Sequence, residues 1–175
     1  MRISQHIKIV DHWVSTQLGQ ATQAKWQHNL ALIVAHSGDS LIWLVGGGCA
    51  ILWGNTPWQT MGWRVVIANL IAGLVAAIMK RCVRRRRPAT YRPQIYQGFD
   101  RYAFPSGHAT RMACMVMLLH PWLPVWGRIV LIMWAGSVGV AKIALGAHFF
   151  TDVLAGWSIG TFLGLLTKRV LIIGP

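Results

Sequence analysis

The stretch TMGWRVVIANLIAGLVAAIMK, from Thr60 to Lys80, decides the fold class. Between its two ends it carries a single charged side chain, Arg64, in a mainly apolar run. A helix needs about 20 mainly apolar residues to cross the roughly 30 Å hydrocarbon core of a bilayer, because each residue advances the chain by 1.5 Å. We therefore predict a membrane-spanning helix here.

The composition of the whole chain indicates the same class. Of its 175 residues, 54% are hydrophobic and only 12% are charged, whereas about 25% of a typical soluble domain is charged. Four further segments read as apolar spans, at residues 29–53, 106–120, 122–145 and 148–171. Because irregular backbone cannot face lipid, we predict an all-α, polytopic membrane helical bundle of about five spans. Its length suggests a single domain, 1–175, which we expect in the plasma or inner membrane.

Residues 1–20 form a separate amphipathic pattern. Apolar side chains recur there at helical spacing, at Ile3, Ile7, Val10, Val14 and Leu18. A helix lying in the membrane interface explains this pattern. A helix packed on the bundle explains it equally well, and the sequence does not separate the two.

Charge is distributed very unevenly by sign. The chain has 17 Lys and Arg, four Asp and no Glu, which gives a net charge of +13. This excess suits anionic partners, such as lipid head groups or phosphate. So few carboxylates argue against paired-carboxylate catalysis and against a Mg²⁺ or Ca²⁺ cage. We expect no metal and no cofactor.

The order of the spans brings three polar segments to one side of the bilayer. These are the basic loop 81–105, the start of the helix at Ser106, and the connection KIALGAHFFTD at residues 142–152. Tryptophans that resemble an aromatic belt surround the two connections on the opposite side: Trp53, Trp58, Trp63, Trp122 and Trp126. The polar segments therefore predict the functional face.

The basic run KRCVRRRRP begins with Lys80 and contains Arg87, seven residues later. The two could share a helical face, if the helix reaches that far, and clamp a phosphate. They could also flank the membrane and contact lipid phosphates. We assign that second role to the remaining arginines of the run, Arg81, Arg84, Arg85 and Arg86.

The stretch PSGH precedes an apolar helix. Ser106 is a plausible N-cap, and Gly107 would let a ligand approach the backbone closely. Free N–H groups at a helix start bind phosphate, and His108 would point near that anion. The alternative is an ordinary capped helix with a neighbouring histidine.

The stretch HFFTD contains His148 and Asp152, four residues apart. On one helical face, Asp152 could accept a hydrogen bond from one ring nitrogen and leave the other nitrogen as a nucleophile. The alternative is a pair that holds the bundle together. Lys142 could join the phosphate clamp or extend toward the membrane surface.

Together these residues supply the parts of phosphoryl transfer through a phosphohistidine. His148 would attack phosphorus, and His108 would protonate the leaving group and then activate water. Three cations and two backbone amides would hold the phosphoryl oxygens. These groups are Lys80, Arg87, Lys142 and the amides of Ser106 and Gly107.

The same residues resemble the type 2 phosphatidic acid phosphatase superfamily of membrane lipid phosphatases, which includes vanadium haloperoxidases. Its first motif, Lys, six residues, then Arg-Pro, matches Lys80 to Pro88, and its second, Pro-Ser-Gly-His, matches 105–108. Its third, Ser-Arg, five residues, His, three residues, Asp, matches 141–152, with Ala141 and Lys142 in place of Ser and Arg. The resemblance implies His148 as nucleophile, Asp152 as its partner and His108 as acid.

We therefore expect an enzyme that removes a terminal phosphate from a membrane lipid, such as a polyprenyl diphosphate, phosphatidylglycerophosphate or phosphatidic acid. A lipid phosphotransferase is a close variant. The alternative class is a non-catalytic basic membrane protein that binds anionic lipid. We expect membrane lipids as partners and no nucleic acid. A haloperoxidase is disfavoured by the short, membrane-embedded chain.

Overall fold

The computed structural model describes residues 2–20, 22, 24–88 and 101–170. Over these residues the chain is helical and contains no β-strand. The described residues form seven α-helices: α1 (Arg2–Gln20), α2 (Lys25–His36), α3 (Ser40–Trp53), α4 (Thr56–Val83), α5 (Gly107–Leu119), α6 (Val125–Ala144) and α7 (Phe150–Val170). A 3-10 turn, His120–Trp122, follows α5. The predicted all-α bundle is confirmed.

Fewer helices are long enough to span a membrane than the sequence suggested. Among the described helices α4, α6 and α7 qualify by length and composition, and α2 with α3 passes the same test as a pair bent by 43° at residues 37–39, which gives up to four spans. This bend lies at the polar residues that interrupt the apolar run 29–53. The fifth expected span, α5, has 13 residues and is about 20 Å long, short of the roughly 30 Å hydrocarbon core.

The short helix α5 lies at the centre of the bundle. It packs against α4, α6 and α7, and most extensively against α7. Its side chains Met112, Cys114 and Met115 are fully buried. By contrast, α3, α4, the 3-10 turn and α6 expose many large apolar side chains, among them all five tryptophans of the expected belt. Such an apolar outer surface is what a lipid environment requires.

Three glycines on α7 allow its close approach to α5. A Cβ atom added at Gly156 would lie 2.7 Å from the Ser106 carbonyl oxygen, and one at Gly160 would lie 2.1 Å from that of Thr110. At Gly164 it would lie 2.6 Å from the Cβ atom of Met117. Since these obstacles are backbone or Cβ atoms, the helices can approach this closely only without side chains at the three positions.

The N-terminal helix α1 packs on the bundle against α6 and α7. Asp11 on this helix is 2% exposed, whereas Ile9, Val10 and Trp13 are exposed. One side of α1 therefore contacts the bundle, and an apolar strip faces outward. The side chains of Ile3 and Ile7, which belonged to the expected amphipathic face, lie outside the described residues.

The end of α4 determines how the basic run is presented. The helix stops at Val83, and Arg84 adopts a left-handed conformation with φ 52° and ψ 33°. Lys80 and Arg87 therefore do not share a helical face. In the non-helical segment that follows, Arg85 and Arg87 are half-buried, while Arg84 and Arg86 are exposed. Alternate residues thus point inward and outward, as in an extended chain.

Candidate active site

The expected site residues converge at one end of the bundle. This end is built from the last turn of α4, the start of α5, the last turn of α6 and the start of α7. His148 interacts electrostatically with Arg87, Lys80 and His108, and His108 interacts with Lys142. Residues 89–100 of the expected loop 81–105 lie outside the described part of the chain. The described parts on either side of these residues are joined by a 2.8 Å hydrogen bond from the Ala103 N–H to the Arg85 carbonyl.

His148 lies in the connection between α6 and α7 and is 2% exposed. Its Nδ1 atom is 2.7 Å from the Ala103 carbonyl oxygen. Because a carbonyl only accepts, Nδ1 carries the proton and donates, which leaves Nε2 with its lone pair. Burial lowers the pKa of His148 well below its ordinary value, and the cations Arg87 and Lys80 lower it further. The imidazole is therefore neutral at pH 7, as a nucleophile must be.

The expected hydrogen bond between His148 and Asp152 is not formed. Their nearest atoms, Nδ1 and Oδ2, are 3.9 Å apart, which is too long for a hydrogen bond. Helix α7 begins at Phe150, so His148 precedes the helix and the two residues do not share a helical face. Asp152 instead accepts a 2.8 Å hydrogen bond from the Phe149 N–H. Its carboxylate thus shapes the turn beside His148, and the tautomer is determined by Ala103.

The start of α5 was expected to bind an anion, and its arrangement differs in part from that expectation. The Ser106 hydroxyl accepts from the Ala109 N–H at 3.5 Å, which confirms the N-cap. The Ser106 N–H donates to the Asp152 carbonyl at 2.9 Å, so it is not available to an anion. The first-turn donors that have no acceptor within the helix are the amides of Gly107 and His108.

His108 has a partner that the sequence reasoning missed. Its Nε2 atom lies 2.5 Å from Oδ1 of Asp39, in the break between α2 and α3. The second carboxylate oxygen, Oδ2, lies 2.9 Å from Nδ1 of His36. Asp39 therefore orients His108 and connects it to a more exposed histidine. The available signal was weak: Asp39 is one of four carboxylates and interrupts an apolar run.

The expected cations are placed around the same two histidines. Arg87 donates to the Ala147 carbonyl at 3.0 Å, so its guanidinium is held beside the turn that carries His148. Lys142, near the end of α6, is buried at 9% exposure, which excludes a side chain extended toward the membrane surface. In the described part of the chain, no three His, Cys, Asp or Glu side chains are grouped to hold a metal.

Arg85 was expected to contact lipid and instead contacts this site. It donates through Nη1 to Oδ1 of Asp152 at 2.8 Å and to Oγ1 of Thr151 at 2.7 Å. Through Nη2 it forms an ion pair with Asp11 of α1. The side chains of Arg81, Arg84 and Arg86 are exposed, and their contact with lipid phosphates stays a prediction.

Two proteins with similar sequences are phosphatases by name. The undecaprenyl-diphosphatase of Sulfolobus acidocaldarius is 24% identical over 151 residues, which cover 85% of this chain and 72% of that protein. Phosphatidylglycerophosphatase B of Bacillus subtilis is 29% identical over 162 residues, or 82% of this chain and 74% of that protein.

Among solved structures, the fold resembles a transmembrane PAP2 type phosphatidylglycerolphosphate phosphatase from Bacillus subtilis. The TM-score is 0.78 at 25% identity, and the match covers 94% of this chain and 86% of that one. The family model of the PAP2 superfamily matches residues 61–172, a range that contains all three motifs and both histidines of the site. More than half of the chain matches this model, and both the fold and the order of the motifs agree with the match. The chain therefore belongs to the PAP2 superfamily.

Proposed function

We propose that the protein hydrolyses the terminal phosphate of a membrane lipid phosphate or diphosphate through a phosphohistidine formed on His148. The observation that carries this proposal is the hydrogen bond from Nδ1 to the Ala103 carbonyl. It leaves Nε2 unprotonated in a buried, cation-lined position. A histidine serving only to hold the bundle would not need a free nitrogen among cations.

In the first half-reaction, Nε2 of His148 attacks phosphorus while the bond from phosphorus to the leaving oxygen breaks. His108, in its protonated form, gives the Nδ1 proton to that oxygen while Nε2 stays hydrogen-bonded to Asp39, and the dephosphorylated lipid departs. In the second half-reaction, His108 takes a proton from water, and the resulting hydroxide attacks phosphorus. The P–N bond then breaks, which releases inorganic phosphate and restores both histidines.

The surrounding cations supply the electrostatic part of this reaction. Lys80, Arg87 and Lys142, with the amides of Gly107 and His108, would hold the phosphoryl oxygens as their charge is redistributed. At position 142 a lysine provides a point charge where the family has an arginine, which can bind two oxygens at once. We therefore propose that Lys142 contributes attraction more than orientation.

The substrate class follows from the surroundings of the site and from the relatives. The site lies at the ends of apolar helices, where the head group of a membrane lipid would be placed. The relatives named above are phosphatases of a prenyl diphosphate and of phosphatidylglycerophosphate. We propose the plasma or inner membrane as its location. A phosphotransferase would use the same first half-reaction, with a lipid hydroxyl replacing water in the second.

The test is phosphate release in detergent from a panel of lipid phosphates. We expect wild type to release phosphate from at least one lipid and both His148→Ala and His108→Ala to lose at least about 100-fold in rate. His28→Ala, at an exposed histidine of α2, is the matched control and should be unaffected.

A labelled substrate distinguishes the mechanism from other routes. With ³²P in the terminal phosphate, rapidly quenched wild type should carry label that is lost in acid and stable in alkali, as phosphohistidine is. The same label on His148→Ala, or unchanged phosphate release by that variant, would refute the assignment. Lipid binding without hydrolysis, unaffected by either substitution, would instead support the non-catalytic basic protein.

A further inference from the structure

Asp11 is a buried carboxylate on a helix outside all three motifs of the site. It is 2% exposed, and a buried charge is costly unless it is paired and hydrogen-bonded. Its Oδ1 accepts from the Thr151 N–H at 2.8 Å, and its Oδ2 accepts from the Thr151 hydroxyl at 2.9 Å. Arg85 completes the pairing through Nη2. The sequence places this carboxylate 74 residues before its arginine, so no local pattern reveals the pair.

Helix α1 therefore caps the start of α7 from outside. The first N–H groups of a helix lack acceptors within it. Here the Thr151 N–H donates to Asp11, and the Phe150 N–H donates to the Ser15 hydroxyl at 3.1 Å. Both acceptors belong to α1. The turn that follows His148 is thus held by a helix that lies outside all three motifs.

Arg85 connects this cap to both sides of the nucleophile. Its guanidinium donates to Asp152, whose carboxylate accepts from the Phe149 N–H. It also lies 4.3 Å above the centre of the Phe149 ring. On the other side, the Arg85 carbonyl accepts from the Ala103 N–H, and the Ala103 carbonyl accepts from Nδ1 of His148.

We propose that Asp11 and Arg85 are positioning residues for the nucleophile. The ion pair fixes the positions of residues 149–152 and of Ala103, and these residues orient the His148 ring. Asp11 and Arg85 themselves do not contact the substrate. The amphipathic helix α1 therefore helps to position the nucleophile of the active site and is not only a membrane-surface segment. This inference rests on the proposed role of His148 in lipid phosphate hydrolysis.

Neighbouring arginines provide matched controls. Arg84 and Arg86 flank Arg85 in the same basic run and are exposed. A role in attracting anionic lipid would be shared by all three, whereas a positioning role belongs to Arg85 alone. Lysine keeps the charge but cannot form the two-pronged contact to Asp11 and Asp152.

The kinetic test compares Arg85→Lys and Asp11→Asn with Arg84→Lys and Arg86→Lys in detergent. We expect the first two to lower kcat by about 10- to 100-fold with KM little changed, because a misplaced nucleophile slows the chemical step. The two controls should match wild type. The double variant Asp11→Asn with Arg85→Lys should be no worse than the more impaired single variant, since both remove one interaction.

Rescue separates positioning from misfolding. Arg85→Ala should regain part of its kcat when methylguanidinium is added, and Arg84→Ala should not respond. A variant that has simply unfolded would not be restored by a small cation. Unchanged kcat in Arg85→Lys and Asp11→Asn would overturn the inference and leave the proposed function intact.

A second measurement does not depend on turnover. Diethylpyrocarbonate acylates imidazole nitrogens, and mass spectrometry gives the rate at each histidine. We expect acylation of His148 to be faster in Arg85→Lys and Asp11→Asn than in wild type, while exposed His28 reacts equally in all variants. If wild type hydrolyses no lipid but His148 responds in this way, the proposed function fails and the positioning survives. If His148 reacts equally in all variants, the positioning is refuted.

Discussion

Replacing Gly160 with alanine tests whether helix contact positions the active site. An added Cβ atom would lie 2.1 Å from the carbonyl oxygen of Thr110, 2.8 Å from its carbonyl carbon and 2.9 Å from the Cβ atom of Ala113. None of these atoms can rotate away, because two belong to the backbone of α5 and the third is fixed to it. The helices themselves must therefore move apart.

The size of the movement follows from these distances. Ordinary van der Waals contact begins at 3.4 Å, so α5 and α7 must separate by more than about 1 Å at Gly160. Each of the two helices contributes a residue to the site, because His108 lies in the first turn of α5 and Asp152 in the first turn of α7. The hydrogen bond from the Ser106 N–H to the Asp152 carbonyl, 2.9 Å long, crosses this contact and would be stretched.

We expect Gly160→Ala to lower kcat by about 100-fold, the usual result of displacing catalytic groups by 1 Å. Its free energy of unfolding should fall by about 1–3 kcal/mol, as for other overpacked sites. The assay is phosphate release at saturating lipid, together with the thermal midpoint in the same detergent.

The matched control is Gly136→Ala on α6, where an added Cβ atom meets nothing within 4 Å. This variant should keep wild-type kcat and gain up to about 1 kcal/mol in stability from its better helix propensity. A folded Gly160→Ala protein with wild-type kcat and thermal midpoint would refute the reasoning, because the close approach of α5 and α7 would then be unnecessary.

Substitutions at three further positions probe individual groups of the site. Lys142→Met should raise KM for the lipid phosphate by about tenfold through loss of a buried cation, whereas Lys142→Arg should retain binding. Equal KM values in wild type and both variants would show that Lys142 does not bind the phosphate. Asp39→Ala should lower kcat because Nε2 of His108 loses the acceptor that orients the ring, and an unchanged kcat would show that other contacts suffice. The lowered pKa of His148 keeps its ring neutral, so activity should persist below pH 6.5, the ordinary histidine value, and fall only as the pH drops through the depressed pKa. Removing a nearby cation raises that pKa, so Arg87→Met should move the acid limb of kcat/KM to higher pH; an unmoved limb would mean that another group titrates there.

Local patterns predicted much of the fold. Apolar runs indicated the bundle, and polar residues within the run 29–53 mark where the structure has the break between α2 and α3. Serine before an apolar run predicted the capped start of α5 at Ser106. The span count was less well predicted, because an apolar run does not reveal that α5 has only 13 residues or that the pair α2 and α3 is bent.

The amino-acid sequence establishes which chemical groups are present. Its motif spacing and the order of its spans predict that His108, His148 and the basic run share one end of the bundle. Their roles in catalysis remain predictions.

Only the tertiary structure decided how these groups are held. The acceptor for His148 is a backbone carbonyl 45 residues away, and every residue type has such a carbonyl, so no residue identity marks Ala103. After the left-handed turn at the end of α4, Arg85 is half-buried whereas Arg84 and Arg86 are exposed. The partner of Arg85, Asp11, lies on another helix. Spacing predicts neighbours along one helix, whereas hydrogen bonds between distant segments depend on how the helices pack.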